Sequence, residues 1–155
     1  MQIRTIAKKD FAEMQRLMEQ VHQLHAKHRP DIYSTTSGFD AEYFESICTD
    51  AHTIALVAHE TEHALCGFCI VTLRAPSCNR SVRKRKVAYL EDLCVDVAYQ
   101  KRGIGKALLL QAKLLAKQRG AQVLEGMVWS FNDNAMRFYE AMGMTPRSVI
   151  LEQKL

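Results

Sequence analysis

The stretch Asp96-Val97-Ala98-Tyr99-Gln100-Lys101-Arg102-Gly103-Ile104-Gly105-Lys106-Ala107 joins a run of strand character to a run of strong helical periodicity through two closely spaced glycines. Glycine lets a backbone come close to a ligand. The first turn of the helix that follows carries N–H groups without partners and the positive end of the helix dipole, so a pyrophosphate is a favoured occupant. Lys101, Arg102 and Lys106 add positive charge at the same place. The junction points to an α/β arrangement in which a strand delivers a ligand to the foot of a helix.

Periodicity orders the remainder. Residues 2–6 alternate as a short strand, and Asp10 with Glu13 forms a capping-box pattern ahead of Phe11, Met14, Leu17, Met18, Val21, Leu24 and His25, one helical stripe. That helix should stop before Pro30, and 29–38 reads as a loop. Asp40 caps a short second helix through Tyr43, Phe44 and Ile47. Segments 53–59 and 64–73 are β-branched and apolar, joined by the polar Glu60-Thr61-Glu62-His63 as an antiparallel hairpin. Residues 87–97 form a third long strand. A helix over 104–119 ends at Gly120, with Ile104, Ala107, Leu108, Leu114 and Leu115 as its apolar stripe. A strand over 122–129, a helix over 132–142 stopped by Gly143, and a last strand over 148–155 complete the order βααβββαβαβ. No repeat or composition break divides the 155 residues, so a single domain with a mixed sheet and helices on both faces is expected.

Composition removes several classes. With 48% hydrophobic and 25% charged residues and three prolines, the chain is neither disordered nor collagen-like. No apolar stretch approaches the roughly 18 to 20 residues of a membrane span, and the N-terminal residues lack the apolar core of a secretion signal. A cytoplasmic protein with no membrane partner is the expectation. Five cysteines suit reduced thiols. Cys66 and Cys69 spell CxxC, but within a strand positions i and i+3 point to opposite faces, against a redox or zinc role. The net charge of +4 is concentrated in Arg80, Arg83, Lys84, Arg85 and Lys86, a run that reads first as a solvated loop. Without interleaved aromatics or a helix-turn-helix pattern it implies no nucleic-acid partner. His22, His25 and His28 drift around their helix and no carboxylate completes a ligand set, so they read as a substrate-side wall or plain surface, with no metal.

Two nucleotide-binding patterns fail at the glycine turn. A GxGxxG fingerprint would need glycine where Leu108 stands, and a Walker loop would need glycine at Gln100 and Ser or Thr at Ala107. The pattern that fits is Gln/Arg-x-x-Gly-x-Gly/Ala, filled by Gln100, Gly103 and Gly105, and it resembles the GNAT superfamily of acetyl-CoA-dependent N-acetyltransferases. A second segment agrees. Asn132-Asp133-Asn134-Ala135-Met136-Arg137-Phe138-Tyr139-Glu140-Ala141-Met142-Gly143-Met144 is similar to that family's Asn-x-x-Ala-x-x-x-Tyr-x-x-x-Gly-Phe helix, with Met144 in place of the aromatic. The resemblance extends over 87–155. The strand Tyr89-Leu90-Glu91-Asp92-Leu93-Cys94-Val95 also looks like that of the polyamine and thialysine branch, but so short a string does not fix the acceptor.

The resemblance implies an α/β (α+β) GNAT-like fold with a mixed, mostly antiparallel sheet and a splayed central strand pair. It implies transfer of an acetyl group from acetyl-CoA to a primary amine of a small molecule or peptide by direct attack in a ternary complex. Leu93, Cys94 and Val95 would pair with the pantetheine arm. The amides of Lys101, Arg102, Gly103, Ile104, Gly105 and Lys106 would hold the pyrophosphate, and the thioester would point toward Asn132 and Tyr139. Tyr139 is the candidate acid, its phenol normally titrating near 10; a packing role is the alternative. Glu91, an acid in an otherwise apolar strand, is the candidate base, directly or through water; it would otherwise bind the substrate ammonium or form a structural ion pair. Asp92 is expected on the opposite side of the strand. Asn132 is a helix cap, a cofactor ligand, or both. Tyr33 would belong to the acceptor wall. An acyl-CoA-binding sensor or interaction module without turnover is the alternative function. The acceptor and the oligomeric state stay open, although members of the superfamily are often dimers.

Overall fold

The computed structural model describes residues 1–61 and 64–155. Among them, β1 (Gln2–Thr5), β2 (Thr53–Thr61), β3 (Ala64–Arg74), β4 (Val87–Val95) and β5 (Val123–Gly126) form one sheet in chain order. The first four are antiparallel neighbours, and β5 runs parallel to β4. Glu62 and His63 of the expected hairpin connection lie outside the described residues.

β2 and β3 are nearly continuous apolar runs because both faces of the sheet are covered. On one face Leu56, Cys69 and Val71 pack with Leu108, Leu109 and Ala112 of α3 (Ile104–Gln118). On the other, Val57, Phe68 and Ile70 pack with Met14 and Leu17 of α1 (Phe11–His28) and Phe44 of α2 (Ala41–Thr49). Each large side chain buried in these layers contributes about 1.5–3 kcal/mol. α4 (Asp133–Ala141) adds Phe138 and Tyr139 to the edge of the α3 layer. Asp40 caps α2 through the Tyr43 amide at 2.8 Å, and Asn132 caps α4 through the Ala135 amide at 3.1 Å. Among the described residues no helix is long and apolar enough to cross a membrane.

Several expectations need correction. The Asp10 carboxylate does not cap α1; it takes the Arg4 guanidinium in a fork, both bonds 2.7 Å, and the Ala7 amide at 2.8 Å. A bidentate charge-assisted pair outweighs a single cap bond. Glu13 likewise turns to Arg16 and the Leu65 amide. The buried stripe of α3 runs through Ile104, Leu108, Leu109, Ala112 and Ala116, while Leu114 is half exposed. Cys66 and Cys69 both pack beneath α3 rather than on opposite faces, because a bulge (Ala58 opposite Gly67, His59 opposite Leu65) leaves Cys66 as an extra residue and resets the alternation. Both are free thiols, and burial, with the Asp92 charge adding, pushes Cys69 up to about 12.

The expected strand over 148–155 is not formed. A strand exists by its ladder, and this segment pairs with no described strand, so the order ends at the fourth helix. β5 also stops at Gly126, short of the expected 129, because its ladder with β4, its one partner among the described strands, ends there.

Candidate active site

The ladder between β4 and β5 runs from Val87 opposite Val123 to Leu90 opposite Gly126 and then ends, while β4 continues to Val95. Its other edge stays paired, with Cys69 opposite Leu93, Phe68 opposite Cys94 and Gly67 opposite Val95. Residues 91–95 therefore present a free backbone edge toward the gap. Asp96 pins the end of this strand: its amide donates to Cys66 O at 2.9 Å, and its carboxylate accepts from the Ala98 amide at 2.9 Å and from the Arg16 guanidinium. Burial opposes ionisation of Asp96, but the Ala98 amide and Arg16 together hold its carboxyl below the usual range.

The chain then turns through left-handed conformations at Lys101 (φ 61°) and Gly103 (φ 79°), the second of which favours glycine. The first hydrogen bond of α3 runs from the Ala107 amide to Gly103 O at 3.0 Å, leaving the amides of Ile104, Gly105 and Lys106 ahead of it. A Cβ on Gly105 would stand 3.4 Å from Val95 Cγ2 and 3.6 Å from the Phe138 ring, so this glycine marks where α3, β4 and α4 meet. The Arg102 guanidinium lies 5.0 Å over Tyr99 and 3.8 Å from Glu60, whereas Lys101 and Lys106 line the cleft.

A cleft of about 1240 Å³ opens from this turn through the splay. Leu93, Cys94, Val95, Asn132 and Tyr139 line it, together with Glu91 and Asp92. The two acids share the cleft because Ile70 stands opposite Asp92 and Val71 opposite Leu90, which makes Glu91 a bulge and breaks the alternation that would set Asp92 on the opposite side. Glu91 pairs with Arg74 at 3.3 Å, and that guanidinium sits 3.4 Å over the Tyr89 ring. Asp92 has no ion pair or hydrogen bond with a described residue; burial, helped by the Glu91 charge, pushes its carboxyl up to about 7. Burial, then Cys69 and Asp92, raises the Tyr139 phenol, whose hydroxyl also lacks a hydrogen bond to a described residue. Tyr43 is raised by burial and then by the charges of Asp92 and Glu91.

The opposite mouth is aromatic. Trp129 Nε1 donates to Tyr33 Oη at 2.9 Å, His25 lies 5.1 Å from the Tyr33 ring, and His28 stacks on Phe131 at 4.4 Å. The histidines brace the loop after α1 against the segment after β5, with His22 Nε2 2.8 Å from Ser34 O. Burial, then His22 and His28, lowers His25. The sequence reading does not single out Trp129, Phe131 or Tyr43 for this mouth, although a lone tryptophan just beyond a strand is a legible signal. The basic run is partly structural: Arg85 pairs with Glu125 at 2.5 Å, and Lys86 Nζ donates to Arg119 O at 2.7 Å.

Residues 18–144 match the profile of the Acetyltransferase (GNAT) family. The chain belongs to this family. The GNAT chain is 36% identical over 78 residues to an uncharacterized N-acetyltransferase of Methanocaldococcus jannaschii, a match covering 49% of the chain and 34% of that protein. It thus spans about a third of the length of this curated relative. A crystal structure of a mutant BH1408 protein from Bacillus halodurans superposes with a TM-score of 0.95 at 28% identity, over 100% of this chain and 99% of that one. The aminoglycoside N-acetyltransferase AAC(6')-Iy, solved in complex with CoA, shares the fold at a TM-score of 0.75 and 17% identity, over 99% of each chain.

Proposed function

We propose that this GNAT protein, acting as a single domain, transfers an acetyl group from acetyl-CoA to a primary amine of a small molecule or peptide. The observation that carries the reading is the free β4 edge at 91–95 running into the unbonded amides at the start of α3, two donor sets in line along one cleft. The residues fit the donor's two recognisable parts. The backbone of Leu93, Cys94 and Val95 matches the amide-bearing pantetheine arm. The amides of 101–106, with Lys101 and Lys106 beside them, match the pyrophosphate. Arg102 takes part through its backbone. The CoA complex of AAC(6')-Iy, a neighbour in fold, supports the same donor.

Acetyl-CoA supplies an activated acyl group, so this chain needs only to position it and move protons. An amine is protonated at neutral pH and must lose a proton before its nitrogen bonds to the acyl carbon as the carbon–sulfur bond breaks. Asp92, open to the cleft and poised near 7, takes that proton. Glu91, tied to Arg74 at the rim, draws the cationic amine in. The Tyr139 hydroxyl gives its proton to the departing sulfur, and Asn132 caps α4 so that Tyr139 stands at the cleft. Tyr33, hydrogen-bonded to Trp129, walls the acceptor end. The five free cysteines suit a reducing compartment such as the cytoplasm.

Incubation of the pure protein with acetyl-CoA and a panel of primary amines, read by release of free thiol, tests the proposal. Amine-dependent release supports it. Acetyl-CoA binding with no release across the panel favours a sensor without turnover, and neither binding nor release contradicts both readings.

A further inference from the structure

The acceptor end of the cleft has two unlike walls. Among the described residues, the carboxylates that line the cleft are Glu91 and Asp92, neighbours on β4. Arg74 offsets Glu91 at 3.3 Å, so the negative charge left for a guest is that of Asp92 when ionised. A single ammonium is its complement.

The other wall is a contiguous face of rings. Tyr33 lies 5.1 Å from His25, 6.0 Å from His22 and 5.8 Å from Trp129, and all four line the cleft. Their polar atoms are committed within the wall: Trp129 Nε1 donates to Tyr33 Oη at 2.9 Å, and His22 Nε2 meets Ser34 O at 2.8 Å. Burial holds His25 toward its neutral form. Behind the wall Phe131 stacks on Trp129 at 6.1 Å, and the Arg29 guanidinium sits 5.2 Å over the Trp129 ring, paired with Asp31 and Glu152.

This combination discriminates among amines. Braced rings bury an aromatic guest by stacking and edge contacts at little cost in side-chain entropy. A sugar would bring hydroxyls to a face whose indole and imidazole groups are already bonded. A second ammonium would meet the charge of Arg29, which holds the nearby carboxylates Asp31 and Glu152 for itself.

We infer that the acceptor is an arylalkylamine with a single ammonium, its ring seated against Tyr33, His25 and Trp129 and its nitrogen at Asp92. The inference rests on the acetyl transfer proposed above and names the class of amine it serves. The ammonium releases one proton to Asp92. As the nitrogen bonds to the acyl carbon and the carbon–sulfur bond breaks, Tyr139 protonates the sulfur and the nitrogen's second proton replaces the one Tyr139 gave. The products are a neutral amide and the CoA thiol.

The test compares 2-phenylethylamine with n-butylamine, spermidine and glucosamine in the thiol-release assay with acetyl-CoA. The kcat/KM for 2-phenylethylamine should exceed each of the others by about tenfold or more, and Trp129→Leu should raise its KM about tenfold while leaving kcat, and the kcat/KM for n-butylamine, within about threefold. Because Trp129 is the sole tryptophan, its fluorescence in the unaltered protein reports the wall directly: with CoA present, 2-phenylethylamine should give a saturable change and n-butylamine none. Release that is equal for the two monoamines, or greatest with spermidine or glucosamine, overturns the inference and leaves acetyl transfer standing. So does an unchanged tryptophan signal at 2-phenylethylamine concentrations above its KM. Absence of release with every amine of the wider panel overturns the inference together with the transfer it rests on.

Discussion

Asp92 and Tyr139 line the same cleft, neither hydrogen-bonded to a described residue, and the Asp92 charge helps burial and Cys69 to hold the Tyr139 phenol above its ordinary range. The carboxyl is displaced toward neutrality and the phenol toward staying protonated, which suits them to the base and acid roles of the proposed transfer.

The pH dependence follows. With Asp92 near 7, kcat/KM should rise as pH increases through that value, because the carboxyl becomes a proton acceptor only when ionised. Asp92→Asn should flatten this limb and lower the rate at pH 7.5 by about 100-fold. A limb that persists unchanged in the variant would remove Asp92 from proton transfer.

The same displacement has a sign in stability. The folded value of about 7 lies above the unfolded value of about 3.9, so the contribution of Asp92 is fully present below pH 4 and is lost as pH rises through 7. Asp92→Asn should match the parent near pH 4 and exceed it at pH 8 by up to about 4 kcal/mol, three units at about 1.4 kcal/mol each. Urea unfolding at the two pH values checks this, and a variant less stable at pH 8 than at pH 4 relative to the parent would contradict it.

Tyr139→Phe keeps the ring and removes the proton. It should lower kcat by about 100-fold while leaving acetyl-CoA affinity within a factor of about two. Steady-state kinetics with equilibrium dialysis separates the two effects, and an unchanged kcat would assign Tyr139 to packing.

The two turn glycines should respond differently. Gly103 sits at φ 79°, so Gly103→Ala should cost about 1 kcal/mol in thermal unfolding and weaken acetyl-CoA binding several-fold as the amides shift. Gly105 lies in helix, and an added Cβ meets Val95 and Phe138 at ordinary contact distances, so Gly105→Ala should stay within about 0.5 kcal/mol. Equal losses would contradict this assignment of the turn.

What could be read from the sequence was what local chemistry decides. The helix after Gly103, the caps at Asp40 and Asn132, and the long strands follow from spacing and residue type. Features set by strand partners could not be read that way. The bulge at Glu91 turns Asp92 into the cleft, and the bulge at Cys66 puts both CxxC thiols beneath α3; each depends on register with a strand distant in sequence. Asp10 looked like a cap because nothing local announces that Arg4 will claim it. The segment 148–155 has strand character, but it pairs with no described strand.

In the proposed function acetyl-CoA lies along the free β4 edge and the start of α3. A titration of acetyl-CoA into isotopically labelled protein, followed by amide chemical shifts, tests it most directly. Saturable shifts should appear and be largest at 93–95 and 101–106. Absence of saturable shifts at millimolar acetyl-CoA, or shifts centred on the basic run 80–86, would contradict it.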